Sequence, residues 1–336
     1  MKRVVLVVLA ACGARTDLGG QDKLAAMHDA GDASDSGVDG RPPPPCNVTQ
    51  PTVLFSGGKS IQFMALDDDS VFWTDFDLGT VSSIPKGGGG QNVIAPNRGN
   101  PSGLAVRDGK IYWTEFFGNI VKSASSAGGG SFTTIADDQD GAYDVAASES
   151  GVYWTTFRGC RVSREQNAST MQLDKAKQPF TRIVSAGSLA FWISFERKSI
   201  ERFDASSQKR STLVSGGAPL AIATDGKKVY FSRAVSAQTV IESVSVDGGT
   251  PETIYTSACD EGDGGLVGTC LAGLATDGDH VYFTSGDGLV REVPASGGPA
   301  NVVADEQARP YAIAVDDSCV YWSNLGDGTI WAAPKL

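Results

Sequence analysis

The chain has 336 residues, with 39 Asp and Glu against 28 Lys and Arg and a net charge of -11 at pH 7. Nucleic-acid backbones are bound through grouped Lys and Arg, and the sequence shows no such grouping, so a nucleic-acid partner is not expected. No run of 18 or more apolar residues occurs, and nothing is long enough to cross a bilayer as a helix.

Met1-Lys2-Arg3 followed by the apolar Val4 to Ala11 has the basic start and short apolar core of an export signal. Its ending, Leu9-Ala10-Ala11-Cys12, resembles the lipobox of bacterial lipoproteins, in which the cysteine becomes the first mature residue and is acylated. The resemblance implies a signal peptide over 1-11, lipidation (palmitate among the acyl groups) of Cys12, and a membrane partner through that anchor. An exported protein held at the bacterial cell envelope follows, at the outer membrane or cell surface. An ordinary signal peptide that happens to contain a cysteine is the alternative. From Cys12 to residue 51 the composition is Gly, Ala, Asp, Ser and Pro with almost no large apolar residue, which reads as a disordered tether. As a flexible coil it would have an end-to-end distance of about 35 Å. His28 falls in it and reads as a solvated residue.

Beyond the tether one pattern recurs: a β-branched residue, two aromatics and a small polar residue, as in Ile111-Tyr112-Trp113-Thr114. The second aromatic stands at 73, 113, 154, 192, 231, 283 and 322, at intervals of 40, 41, 38, 39, 52 and 39. A period near forty residues signals a repeat architecture. In register, Ala65, Ala105, Ala146, Ala223, Ala275 and Ala314 stand eight residues earlier, with Val184 in the fourth unit, inside a first strand that ends in an Asp- and Gly-rich turn. A third strand is centred on Val81, Val121, Val162, Ile200, Ile241, Val290 and Ile330. A short β-branched fourth strand, such as Asn92-Val93-Ile94 or Asn301-Val302-Val303, follows in units one to six. Pro179 aligns with Pro101, Pro219 and Pro310, so Phe180 to Val184 opens unit four and Thr170 to Leu173 closes unit three.

Unit seven ends at Leu336 after three strands, while Thr52-Val53-Leu54-Phe55 reads as a fourth strand with no unit of its own. The expected fold is therefore all-β: a β-propeller over 52-336 with seven four-stranded blades, closed where strand 52-55 pairs into the C-terminal blade. The motif resembles the YWTD propellers of low-density-lipoprotein-receptor type and their bacterial relatives, with the family's final Asp matched at Asp75 and approached at Glu115. The resemblance implies a propeller with a ligand-binding role and brings no catalytic residue with it.

Exported location permits disulfides. In a propeller, first-to-second and third-to-fourth turns share one face, here called lower; the remaining turns make the upper face. Cys46 precedes a fourth strand and Cys319 a second strand, both on the lower face of blade seven, so a Cys46 to Cys319 bond would clasp the closure. Cys259 and Cys270 flank Asp260-Glu261-Gly262-Asp263 in the insertion behind the interval of 52, on the upper face, and can pair locally. That bridge would contribute roughly 3 kcal/mol in the chain-entropy picture. Cys160 is left as a buried thiol.

Catalytic candidates are sparse. His280, the only histidine beyond the tether, falls in a lower-face turn, far from a propeller mouth, so no Ser-His-Asp set is expected and no cofactor is called for. Asp260, Glu261 and Asp263 are weak candidates for calcium, since their spacing does not fit an EF-hand loop. Three residues beyond the motif aromatic, blades one to four carry Phe76, Phe116, Phe157 and Phe195, with Phe117 beside them. Asp75, Asp77, Glu115, Arg158, Glu196, Arg197 and Arg233 border the arc. These phenylalanines either pack between blades or form a binding surface with a polar margin. The leading expectation is a monomeric, non-enzymatic envelope lipoprotein binding a protein, glycan or other envelope ligand. A propeller hydrolase or lyase with its site at the central channel mouth is the alternative, and a purely structural envelope component is a third reading.

Overall fold

A computed structural model describes residues 46-159, 161-166, 169-235, 238-258 and 271-336. The described residues form seven antiparallel sheets of four strands each, without a helix. Blade one shows the pattern: Ile61–Leu66, Ser70–Asp75, Thr80–Pro85 and Asn92–Ala95, paired in that order. First strands of successive blades lie side by side around the axis, and blade seven's Pro310–Val315 meets blade one's Ile61–Leu66 to complete the ring. Blade seven takes its outer strand from the N-terminal side, Thr52–Phe55, which pairs antiparallel with Thr329–Pro334. Closure of this kind leaves no long inner edge exposed.

The repeated motif accounts for the packing. Trp73, Trp113, Trp154, Trp192 and Trp322 are fully buried in the interfaces between blades. Buried indoles need a hydrogen-bond acceptor. Trp113 donates to Glu115 Oε1 (3.1 Å), Trp154 to Gln139 Oε1 (2.8 Å), Trp192 to Asp174 Oδ2 (3.2 Å) and Trp322 to Gln307 Oε1 (2.8 Å). The small hydroxyl residue that ends the motif joins neighbouring blades. Thr74, Thr114, Thr284 and Ser323 donate to the carbonyls of Ser102, Tyr143, Tyr311 and Ile61 on the next blade, at 2.6, 2.7, 2.7 and 3.0 Å.

Each first strand described in full carries a β-bulge near its upper end, opposite that hydroxyl; in blade two, for example, the register shifts between Pro101 and Leu104. A bulge leaves a ladder amide without its strand partner. The hydroxyl accepts from such amides, as Thr284 does from Gly273 N (2.7 Å) and Ser323 from Ala312 N (3.1 Å). Unit four has Ile193 at this position, and there the carboxylate of Asp144, from blade three, accepts the nearby Ile183 amide (3.0 Å). Neighbouring first strands come so close here that a Cβ on Gly103 would stand 2.5 Å from Asp144 Cα, so only glycine fits.

On the lower face the Asp-rich turns are held by their own amides and by lysines of the neighbouring blades. Asp316 accepts the amides of Ser318 and Cys319 and the hydroxyl of Tyr321 (2.9, 2.7 and 3.1 Å), and Lys86 of blade one reaches it at 2.8 Å. Asp277, Tyr282 and Lys335 repeat the arrangement between blades six and seven. Burial works against the Asp316 charge, but Lys86 and the turn amides outweigh it and hold the carboxyl below its ordinary value. Cys46 is bonded to Cys319 on this face, with Cα atoms 5.3 Å apart, and Cys46 and Val48 pack on the core of blade seven. The ordered body therefore includes residues ahead of Thr52.

Candidate functional site

The upper face of blades one to three holds an aromatic shelf. Phe76, Phe116 and Phe157 each follow a second strand, and each donates its amide to the loop arriving from the preceding blade, at Ser60, Asn100 and Gly141 (3.0, 3.0 and 2.7 Å). The recurring bond places the three rings at equivalent points on neighbouring blades. Phe116 meets Phe76 at 6.2 Å, Phe157 at 6.0 Å and Tyr143, from blade three's first strand, at 6.2 Å between ring centroids. Phe116 is only 6% exposed, and Phe76 and Phe157 are half-buried, so these rings are the packed base of the shelf.

Phe117 differs. It is 58% exposed, yet it is held edge-on against Phe116 at 5.0 Å and against Phe76 at 6.3 Å. The Arg158 guanidinium lies 5.1 Å from the Phe116 ring centroid and 5.3 Å from that of Phe117, within cation–π range. Arg158 is itself fixed by Asp140 (3.1 Å), by the Phe116 carbonyl (3.1 Å) and by Asn119 Oδ1 (2.9 Å). An exposed aromatic held in place on a buried aromatic base presents apolar area with little ordering left to lose on binding. Phe195 is half-buried on the corresponding turn of blade four, and blades five to seven have Ala234, Gly286 and Leu325 there.

Four of the charged residues around the arc, Asp75, Glu115, Arg197 and Arg233, are engaged by partners within the fold. Asp75, fully buried, accepts the amides of Lys59, Ser60 and Leu78 (2.8, 3.2 and 3.0 Å). Glu115 accepts Gly99 N (3.0 Å) as well as the Trp113 indole, with Arg98 at 3.8 Å. The motif's final acid thus ties the loop between blades to the second strand. Arg233 pairs with Glu242 (2.7 Å), and Arg197 grips the Asp174 carboxylate with both terminal nitrogens (2.7 and 2.8 Å).

Beneath the shelf, side chains from the bulges fill the channel neck. Phe63 of blade one lies 5.9 Å from the Tyr143 ring and 5.0 Å from the guanidinium of Arg182 on blade four. Arg182 is 1% exposed, and its Nη1 stands 3.9 Å from Asp144 Oδ2. Burial pushes the Asp144 carboxyl up to about 6, against the opposing pull of Arg182 and of the Ile183 and Val145 amides. Burial also raises Tyr143 and Tyr311, the latter on blade seven. This group was not anticipated from sequence: Tyr143 and Tyr311 share a register position with Gln62, Ser102, Thr181 and Leu220, and Phe63, Asp144 and Arg182 share the next with Gly103, Ala221 and Ala312, so no period reveals them.

His280, expected in a turn, instead opens the second strand of blade six (His280–Ser285) at its lower end, its ring 6.2 Å from Tyr282. Cys12, Cys160, Cys259, Cys270 and the calcium candidates Asp260, Glu261 and Asp263 lie outside the described residues.

No family model and no curated protein matches the chain. Solved structures do resemble it. Virginiamycin B lyase from Staphylococcus aureus superposes with a TM-score of 0.70 at 14% identity, covering 85% of this chain and 99% of the lyase. The WD40 repeats of RRP9 give 0.69 at 10% identity, over 85% and 97% of the two chains. A chain of a nidogen–laminin complex gives 0.52 at 15% identity, over 73% and 97%. At these identities the likeness establishes the seven-bladed propeller and no activity.

Proposed function

We propose that the propeller is a non-enzymatic binding module displayed from a lipid anchor at a bacterial envelope, and that it captures its partner on the upper shelf around Phe117. The observation that carries this reading is a large aromatic side chain kept in solvent on a fixed base, where a fold with so complete a core had no need to expose it. The propeller resembles WD40 repeats and a lyase in fold alone, so the reading rests on the geometry of the shelf.

Full-length protein used as bait in envelope extracts should retain a partner that a Phe117→Ser variant loses. Losing the exposed ring with its edge-on and cation–π contacts costs on the order of 1 kcal/mol, so the two should still melt within about 4 °C of each other. Equal capture by both would sink the reading. The anchor is tested separately. The native protein should incorporate labelled palmitate and partition into detergent, and Cys12→Ala should do neither; an unlabelled native protein would refute lipidation.

A further inference from the structure

The fold gathers bases that are scattered in the sequence. Arg161 opens the third strand of blade three (Arg161–Gln166) and pairs across to Lys175, which ends the fourth (Ser169–Lys175). The Lys175 carbonyl accepts from Arg197 of blade four (3.3 Å). Lys177 donates its amide to Glu196 Oε2 (2.6 Å), which holds it beside the turn carrying Arg197 and Lys198. Arg210 joins from blade four's outer strand through an ion pair with Asp174. Arg161, Lys175, Lys177, Arg197, Lys198 and Arg210 thus meet at the seam of blades three and four, against Asp174 and Glu196.

We infer that this seam binds the carboxylates of an acidic polypeptide segment whose aromatic or large aliphatic side chain lies on the adjoining shelf; the inference rests on the reading of that shelf as a binding surface. The charge bookkeeping points to an anion. Asp174 is already saturated: it receives both terminal nitrogens of Arg197, the Trp192 indole, the Lys175 amide and Arg210. Two guanidiniums thus share one carboxylate. Arg161, Lys175, Lys177 and Lys198 are exposed, and none makes an ion pair among the described residues. In a chain of net charge -11 this is a local reversal of sign, and a patch of opposite sign steers and selects a complementary partner. A polypeptide is favoured over a bare polyanion because Arg161 stands only three residues along the chain from Arg158, which stacks on Phe117, so carboxylate and apolar anchors lie within one short segment's reach.

The test uses the full-length protein and three probes: a fluorescein-labelled peptide of Asp, Glu and Ser with two central Phe, the same peptide with Ser for both Phe, and inorganic polyphosphate as competitor. The Phe-containing peptide should bind tightest. Its affinity should fall at least about tenfold in the triple variant Arg161→Gln/Lys175→Gln/Lys177→Gln and weaken with added salt. The variant should melt as the native protein does, since the three side chains are exposed and make no ion pair among the described residues. Equal binding by native and variant protein overturns the seam. Equal binding of the two peptides, or polyphosphate binding as tightly as the Phe peptide, overturns the polypeptide assignment. A Phe117→Ser variant that loses its envelope partner while the triple variant keeps it leaves the shelf standing and the seam refuted, so the two readings fail distinguishably.

Discussion

Reduction of the Cys46 to Cys319 bond, or its removal by Cys46→Ser with Cys319→Ser, lowers the melting temperature by on the order of 10 °C. The bond joins residues 273 apart, so it constrains almost the whole unfolded propeller. In the chain-entropy account a loop of that size contributes about 5 kcal/mol, near the upper end of what a disulfide supplies. The position adds to the effect. Thr52–Phe55 is a four-residue strand with no more than half-buried side chains, yet it is the outer strand of the closing blade, and Phe55 packs on Trp73 of blade one at 4.7 Å. Without the clasp that strand frays first, and with it the join between first and last blades. Hydrogen exchange should therefore accelerate earliest at Thr52–Phe55 and Thr329–Pro334. Calorimetry showing the same transition with and without reductant would refute the clasp.

The frame of the molecule was legible because it rests on burial with a period. The Trp and Phe of the motif, the alanines of the first strands and the β-branched third strands are all inside, and inside residues obey the repeat. Even the terminal strand could be placed, since blade seven lacked one and Thr52–Phe55 was spare. The roles of polar residues were less accessible. Asp75 and Glu115 looked like rim acids in the sequence, and the structure shows them facing backbone amides of incoming loops. Sequence shows an acid at a register position but not the amide it will meet. The basic seam was hidden for a related reason: Arg161, Lys175, Arg197 and Arg210 are far apart in the chain and adjacent only once two blades are side by side. Phe117 lies one residue off the repeat, which is why it can leave the core that Phe116 joins.

Truncation at the channel neck tests the part of the molecule that periodicity did not reveal. Asp144→Ala is expected to destabilise the propeller by about 3 to 5 kcal/mol, because it removes the buried carboxylate that faces the Arg182 guanidinium at 3.9 Å. Here the loss is compounded, since the Asp144 carboxylate also accepts Val145 N (2.8 Å) and Ile183 N (3.0 Å) in buried hydrogen bonds. Replacing both partners, as Asp144→Leu with Arg182→Met, should cost clearly less than the single change, because no charge is then left in the neck. A pH series gives an independent readout. The folded carboxyl titrates at about 6, above its ordinary 3.8, so the folded state holds that proton more tightly than the unfolded chain. This group's contribution therefore favours folding increasingly as pH falls from above 6 towards 4, and is lost as pH rises through 6. The double variant should lack that slope while Asp277 and Asp316 on the lower face, whose values are lowered, continue to weaken the protein in acid. A single Asp144→Ala variant as stable as the native protein, or a double variant less stable than the single, would show that the pair does not hold the neck together.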